Sequence, residues 1–188
     1  MTRIVRQIQM QQSILNAFIS ATTGVFQTMV EREVTAQSPF LVRSANCEED
    51  LSAIIGLSGG LPGTVIVGVD RALAIDFTER VIGHKTTQID EEVIDAVGEI
   101  ANMIVGAAKC KLTTYKLSIS LPSVICGRGL MVNFPRQVRP VCLPFDCEGS
   151  RLTLRIGLND PDSAGMACEL PEMAIEPTRG PILAFNQD

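Results

Sequence analysis

Tryptophan is absent from this 188-residue chain, and aromatic residues of all kinds make up only 4% of it. Proteins that bind single-stranded nucleic acid depend on aromatic side chains on which the bases stack. An excess of positive charge is also missing, since the formal net charge is −5. An acidic chain of this kind does not predict the positively charged surface that binds a phosphate backbone. These absences argue against nucleic acid as a partner.

Metal-binding and disulfide patterns are missing as well. The six cysteines include no C-x-x-C pair, and the only histidine is His84. A structural zinc site needs four closely arranged Cys or His ligands, so none is predicted. The chain shows no signal peptide, and reduced cysteines act as small hydrophobes. We therefore expect a cytoplasmic protein with reduced cysteines.

One uncharged stretch, Leu51 to Val69, is nearly as long as a membrane-spanning helix. Its middle reads Ser58-Gly59-Gly60-Leu61-Pro62-Gly63, and a helix would break there. Two β-branched runs on either side of such a turn cluster predict a β-hairpin. No membrane span is expected.

Hydrophobic periodicity and capping residues predict the remaining elements. The first predicted helix begins near Ser13 and turns Ile14, Phe18, Ala21, Val25 and Met29 inward. The second runs from Asp70 to Gly83, and the third from Asp90 to about Leu112. The predicted strands are Phe40–Val42, Leu51–Leu57, Thr64–Val69, Leu117–Ile125, Val138–Pro144 and Arg151–Leu158. Strands in consecutive runs indicate an α+β fold, with long helices packed on a mainly antiparallel sheet. Each half shows a helix followed by three strands, which suggests a pseudo-repeat.

The chain divides into one domain, residues 1–159, and a C-terminal tail, residues 160–188. The tail contains Pro161, Pro171, Pro177 and Pro181 and shows no clear hydrophobic period. The sequence assigns the tail no role.

The third predicted helix has two different faces. Its core face carries Val93, Val97, Ile100, Ile104 and Ala108. The opposite side carries Asp95, Glu99, Asn102, Gly106 and Lys109, with Gly98 beside them. Residues three apart are neighbours on a helix surface, so a carboxylate and an amide are presented together. The two glycines would keep this surface low, which would let another molecule's backbone come close.

The residues alone leave other interpretations open. A Glu and an Asn on the exposed face of a helix are usually just solvated, and glycine can also serve tight helix packing. A metal site is a further alternative, because Asp90, Glu91, Glu92, Asp95 and Glu99 cluster here. Only Asp95 and Glu99 share a face well, and a hard cation requires more converging oxygens, so no metal is predicted.

The order of these residues adds a family resemblance. DEEVIDAVGEIANMIVGAAKCKL, residues 90 to 112, resembles the active-site helix of the CheC/CheX/FliY phosphatases of bacterial chemotaxis. The family frame D-x-V-G-E-x-x-N-x-x-x-G is filled by Asp95, Val97, Gly98, Glu99, Asn102 and Gly106. Some members carry a second Glu-x-x-Asn in the first helix. Here Asn16 is preceded by Ser13 in place of that glutamate, so the chain is most similar to members with one site, which are CheX-like.

The resemblance implies an activity: hydrolysis of the aspartyl phosphate of a CheY-like response regulator. It implies that Asn102 orients the attacking water, that Glu99 docks against the regulator's lysine, and that Asp95, Gly98 and Gly106 contact the regulator. It also implies no cofactor of the chain's own, with Mg²⁺ supplied by the regulator, and a homodimer. A non-catalytic module that binds a regulator or only dimerises is the alternative, and a tail folded over the helix would block activity.

Overall fold

The structure, a computed structural model, describes residues 3–42 and 45–159. The predicted tail, residues 160–188, lies outside the described residues, so the predicted domain boundary at residue 159 stays a prediction. Within the described ranges the α-helices are α1 (Arg3–Val25), α2 (Arg71–Ile82) and α3 (Glu91–Lys111). The strands are β1 (Thr35–Ala36), β2 (Phe40–Leu41), β3 (Ala45–Cys47), β4 (Leu51–Ser58), β5 (Gly63–Val69), β6 (Ser118–Ile119), β7 (Ser123–Cys126), β8 (Leu130–Val132), β9 (Val141–Cys147) and β10 (Ser150–Leu158).

Eight of these strands form one antiparallel sheet with the main order β1-β9-β10-β5-β4-β6. β2 also pairs with β9, and β7 pairs with β4. β4 and β5 form the predicted hairpin, in which Leu51 lies opposite Val69. The predicted α+β fold with a mainly antiparallel sheet is therefore confirmed. The pseudo-repeat of one helix and three strands stays a prediction.

The main core lies between the sheet and the three helices. Val65, Val67 and Val69 of β5 belong to the same buried cluster as the apolar faces of the helices. The intervening Ile66 belongs to a second, smaller cluster. This alternation follows from the two-residue period of a strand, which points successive side chains to opposite faces of the sheet. No helix in the described ranges has both the length and the apolar character needed to cross a membrane.

The second cluster lies under a two-stranded ribbon formed by β3 and β8. Beside it, Arg155 of β10 donates to Glu49 over 2.9 Å, and the two residues are 6% and 2% exposed. Burial raises the pKa of the Glu49 carboxyl, but the hydrogen bonds and the charge of Arg155 together outweigh it, so this pKa lies below its ordinary value. A buried ion pair thus joins the β3–β4 connection to the centre of the sheet.

Several details of the predicted elements were wrong, among them the predicted strand Val138–Pro144, which lies three residues later as β9. α1 begins at Arg3, ten residues before the predicted Ser13. A π-helical turn over Phe26–Val30 widens the end of this helix, so Val30 is buried in place of Met29. The predicted strand Leu117–Ile125 is split into β6 and β7.

The cysteines behave in two ways. No disulfide joins those that the structure describes, and Cys168 lies outside the described residues. Cys47, Cys142 and Cys147 are buried, and burial raises the pKa of the Cys142 thiol to about 11, which keeps it protonated and unreactive near neutral pH. Cys110 and Cys126 are exposed.

Candidate functional site

α3 starts where the sequence predicts. The carboxylate of Asp90 accepts a hydrogen bond of 3.0 Å from the backbone N–H of Val93, and this bond lowers the pKa of Asp90. Such a cap satisfies one of the backbone donors left free at a helix start. Glu91 and Glu92 follow in the first turn, where the helix dipole favours negative charge. The helix is therefore well fixed at the end that leads into the candidate site.

Most of the circumference of α3 is buried. The predicted core face is buried throughout, as are the flanking Ala101 and Val105. This burial leaves a narrow outward strip. We call Asp95, Glu99 and Asn102 the polar strip of α3.

The polar strip is open to solvent. Asp95 and Glu99 are exposed, and Asn102 is half-buried. Within residues 3–42 and 45–159, no hydrogen bond or ion pair engages the side chain of Glu99 or Asn102. Helix geometry sets their Cβ atoms about 5–6 Å apart. A carboxylate and an amide therefore stand side by side with their hydrogen-bonding capacity unused.

The two glycines of the predicted site face another part of the protein. A Cβ added to Gly98 would lie 3.4 Å from Cγ2 of Val124 and 3.6 Å from Cγ of Pro122. A Cβ added to Gly106 would lie 3.9 Å from Cδ1 of Ile119. Residues 119–124 therefore pack beside both glycines, at distances that would leave an added Cβ in ordinary van der Waals contact. Contact of these glycines with a partner stays a prediction.

This flanking segment is the part of the site that sequence reasoning missed. Because Ile119 lies beside Gly106 and Pro122 beside Gly98, the segment runs antiparallel to α3. Asn102 lies midway between the two glycines, one helical turn from each, so it sits at the level of residues 120–121. The signal available in the sequence was Pro122, since a proline inside an apolar run indicates an interrupted edge strand.

The acidic residues at the start of α3 do not converge. Among the described residues, no three His, Cys, Asp or Glu side chains are grouped so that they could hold a metal ion. Glu92 lies 2.9 Å from the ring of His84, and Asp90 is engaged as the helix cap. Chemically, the polar strip can accept a cation at Glu99 and can hold a water molecule at Asn102, whose amide both donates and accepts.

A family model described as "Chemotaxis phosphatase CheX" matches residues 51–146, just over half of the chain, and this range includes all of α3. The CheY-P phosphatase CheX of Thermotoga maritima is 27% identical over 126 residues, which cover 65% of this chain and 81% of that protein.

Solved structures share the fold. The chemotaxis protein CheX of Vibrio vulnificus is 26% identical with a TM-score of 0.72, covering 78% of this chain and 99% of that one. CheX of Borrelia burgdorferi, crystallised as a CheX–CheY–BeF3–Mg²⁺ complex, is 21% identical with a TM-score of 0.64, covering 77% of this chain and 97% of that one.

Proposed function

Because this chain belongs to the CheX family of chemotaxis phosphatases, we propose that it accelerates hydrolysis of the aspartyl phosphate of a CheY-like response regulator. The observation that carries the proposal is the polar strip, where an exposed Glu99 and a half-buried Asn102 lie on one helix without side-chain partners among the described residues. The T. maritima relative is named a CheY-P phosphatase, and the B. burgdorferi relative was crystallised with CheY. Both names support the same substrate class.

In the proposed reaction a water oxygen attacks phosphorus, and the bond between phosphorus and the aspartyl oxygen breaks. The products are inorganic phosphate and a free aspartate, and the proton lost by the water ends on phosphate or solvent. Phosphoryl transfer of this kind depends mostly on positioning and on stabilisation of charge. Mg²⁺ belongs to the regulator in this proposal and neutralises the phosphoryl oxygens there.

Asn102 is the proposed positioning group for the water. Its amide oxygen accepts a hydrogen bond from the water, which turns a lone pair of the water toward phosphorus. An amide stays uncharged, whereas a carboxylate in its place would repel the phosphoryl oxygens. Asn102 is half-buried, and in this proposal its limited freedom favours one orientation of the water.

Glu99 is the proposed docking group. It lies one turn from Asn102 on the same face. An ion pair between Glu99 and the regulator's active-site lysine would therefore fix the position of the Asn102 amide relative to the phosphoryl group. Asp95, one turn earlier, extends the negative charge of the strip toward the same partner. We also propose that the protein works in the cytoplasm, where regulators are found, and as a homodimer.

The experiment that tests the function measures the lifetime of the phosphorylated regulator with and without this protein. The host's CheY-like regulators are purified, phosphorylated with acetyl phosphate, freed of donor and followed by release of phosphate. We expect at least one regulator to lose phosphate faster as the protein is added in substoichiometric amounts. Binding without any change in lifetime would instead identify a non-catalytic adaptor.

A further inference from the structure

Leu121 is an apolar side chain placed almost wholly in water. It is 86% exposed, and among the large hydrophobic side chains that the structure describes the next most exposed is Met131, at 65%. A leucine that could fold back would cover part of its apolar surface, since removal of such surface from water is favourable. Leu121 does not do so in this structure.

The backbone around Leu121 is held on both sides. Ser120 donates its N–H to the carbonyl of Gly56 over 2.9 Å and accepts the N–H of Gly56 on Oγ over 2.9 Å. The same hydroxyl donates to the carbonyl of Leu121 over 2.8 Å. Pro122 then fixes the next backbone angle, and Ser123 pairs with Ile54 in β4. Leu121 therefore projects from a rigid support and is not the tip of a loose loop.

The position of Leu121 is set by the contacts of its neighbours with α3. Pro122 lies against Gly98 and Ile119 lies against Gly106. Residue 121 therefore stands beside the middle of this stretch, at the level of Asn102. We infer that a partner that approaches closely enough to touch Asn102 and Glu99 also passes beside Leu121.

We propose that Leu121 is an apolar docking residue that inserts into a hydrophobic surface of the response regulator next to its phosphorylated aspartate. This inference rests on the proposed function and adds a specificity element to it: Glu99 supplies the charged contact and Leu121 the apolar one. The regulator is favoured over a second copy of this chain because a copy seated on Leu121 would cover the polar strip. Together, the charged contact at Glu99 and the apolar contact at Leu121 would also fix the orientation in which Asn102 faces the phosphorus.

The test compares Leu121→Ser with Met131→Ser, a control in β8 on the ribbon that covers the other face of the sheet. Binding to the regulator loaded with BeF3⁻ and Mg²⁺ is measured by titration, and phosphate release is measured over a range of regulator concentrations. We expect Leu121→Ser to raise Kd and KM about tenfold or more, because the apolar surface that Leu121 buries in the complex is lost, with the rate at saturation unchanged. Met131→Ser leaves both constants unchanged, and Leu121→Met restores most of the affinity.

The outcomes separate this inference from the proposed function. Weaker binding by Leu121→Ser supports the docking role. If the wild-type protein also leaves the phosphoryl lifetime unchanged, only the catalytic proposal fails. If Leu121→Ser has the same Kd and KM as the wild type, the docking role is wrong. The catalytic proposal still stands in that case if the wild-type protein accelerates phosphate release. A protein that binds none of the host's regulators overturns both. Loss of self-association in Leu121→Ser, with regulator affinity intact, assigns the surface to a second copy and also overturns the inference.

Discussion

Glu99 is one of several exposed carboxylates on α3, and its proposed role is electrostatic. We expect Glu99→Gln to weaken binding to the phosphorylated regulator and to make the remaining affinity less dependent on salt, because an ion pair near solvent is screened by ions. Titrations at low and high ionic strength measure both effects. Glu91→Gln, which removes another exposed charge from the first turn of the same helix, is the control. Equal salt dependence in wild type and Glu99→Gln would contradict a docking ion pair.

A substitution at Gly106 tests whether the glycine is needed for contact with the regulator or for folding. A Cβ at this position would meet Ile119 at 3.9 Å, an ordinary contact, so Gly106→Ala should stabilise α3 by about 1 kcal/mol. If the regulator's backbone passes close to this point, the same variant binds the regulator more weakly. Thermal unfolding and regulator titration measure the two effects. Gly24→Ala in α1, where an added Cβ meets nothing within 4 Å, should gain stability without losing affinity.

A Gly106→Ala protein with raised stability and unchanged affinity would show that neither the fold nor the partner requires glycine at this position. The prediction of partner contact at Gly106 would then be wrong.

At the scale of elements, α3 depends on its N-terminal cap. Asp90→Ala removes the 3.0 Å hydrogen bond to the N–H of Val93, and we expect a loss of about 0.5–2 kcal/mol in the free energy of unfolding. Urea titration measures it. Asp90→Asn keeps a capping oxygen and should retain most of the stability. A loss in Asp90→Asn as large as in Asp90→Ala would show that the charge near the helix dipole, and not the cap, is what stabilises the helix.

The elements that the sequence predicted well are those with local signals. α3 carries a cap at Asp90 and a sustained apolar period, and the β4–β5 hairpin has a turn cluster between two β-branched runs. β3 and β8 have no such signal, since each is three residues long and pairs with a partner more than 80 residues away. The π-helical turn that buries Val30 depends on packing against α2, where Phe26 meets Phe77 edge to face.

The same distinction applies to the candidate site. Glu99 and Asn102 follow from helical spacing, so their place on one side of α3 could be predicted. The place of Leu121 could not, because it depends on how an interrupted edge strand packs against the two glycines of α3. Long-range contacts of this kind leave no period in the sequence.

At the scale of the whole molecule, the buried pair of Arg155 and Glu49 joins the ribbon layer to the sheet. Glu49→Ala leaves a buried guanidinium without its partner, and we expect a loss of about 3–5 kcal/mol in the free energy of unfolding. Arg128→Ala breaks a pair with Asp50 in which the arginine is 63% exposed, and should cost at most about 1 kcal/mol. Equal losses in the two variants, measured in urea, would contradict this ranking.

The pH dependence of stability follows from the same pair. The pKa of Glu49 is lower in the folded protein than in the unfolded chain, where it is about 4.3. Its stabilising contribution is therefore fully present above about pH 4.3 and is lost as the pH falls through the folded pKa. We expect the free energy of unfolding of Glu49→Gln to fall less steeply with decreasing pH than that of the wild type. Urea titrations between neutral and acidic pH measure this. An unchanged slope would show that other carboxylates, such as Asp50 and Asp76, carry the acid sensitivity.

The proposed homodimer also belongs to this scale. Light scattering measures the mass directly, and we expect twice the mass of one 20.3 kDa chain. A mass of one chain at micromolar concentration would contradict the dimer while leaving the polar strip of α3 intact.

The most direct test of the account is the decay of a phosphorylated regulator at saturating concentrations of the wild-type protein and of Asn102→Ala. We expect the wild type to shorten the phosphoryl lifetime and Asn102→Ala to lose this effect by a factor on the order of 10², since a misplaced water lowers the rate by about that much. We also expect Asn102→Ala to bind the regulator as the wild type does. Wild-type acceleration by Asn102→Ala would contradict the account.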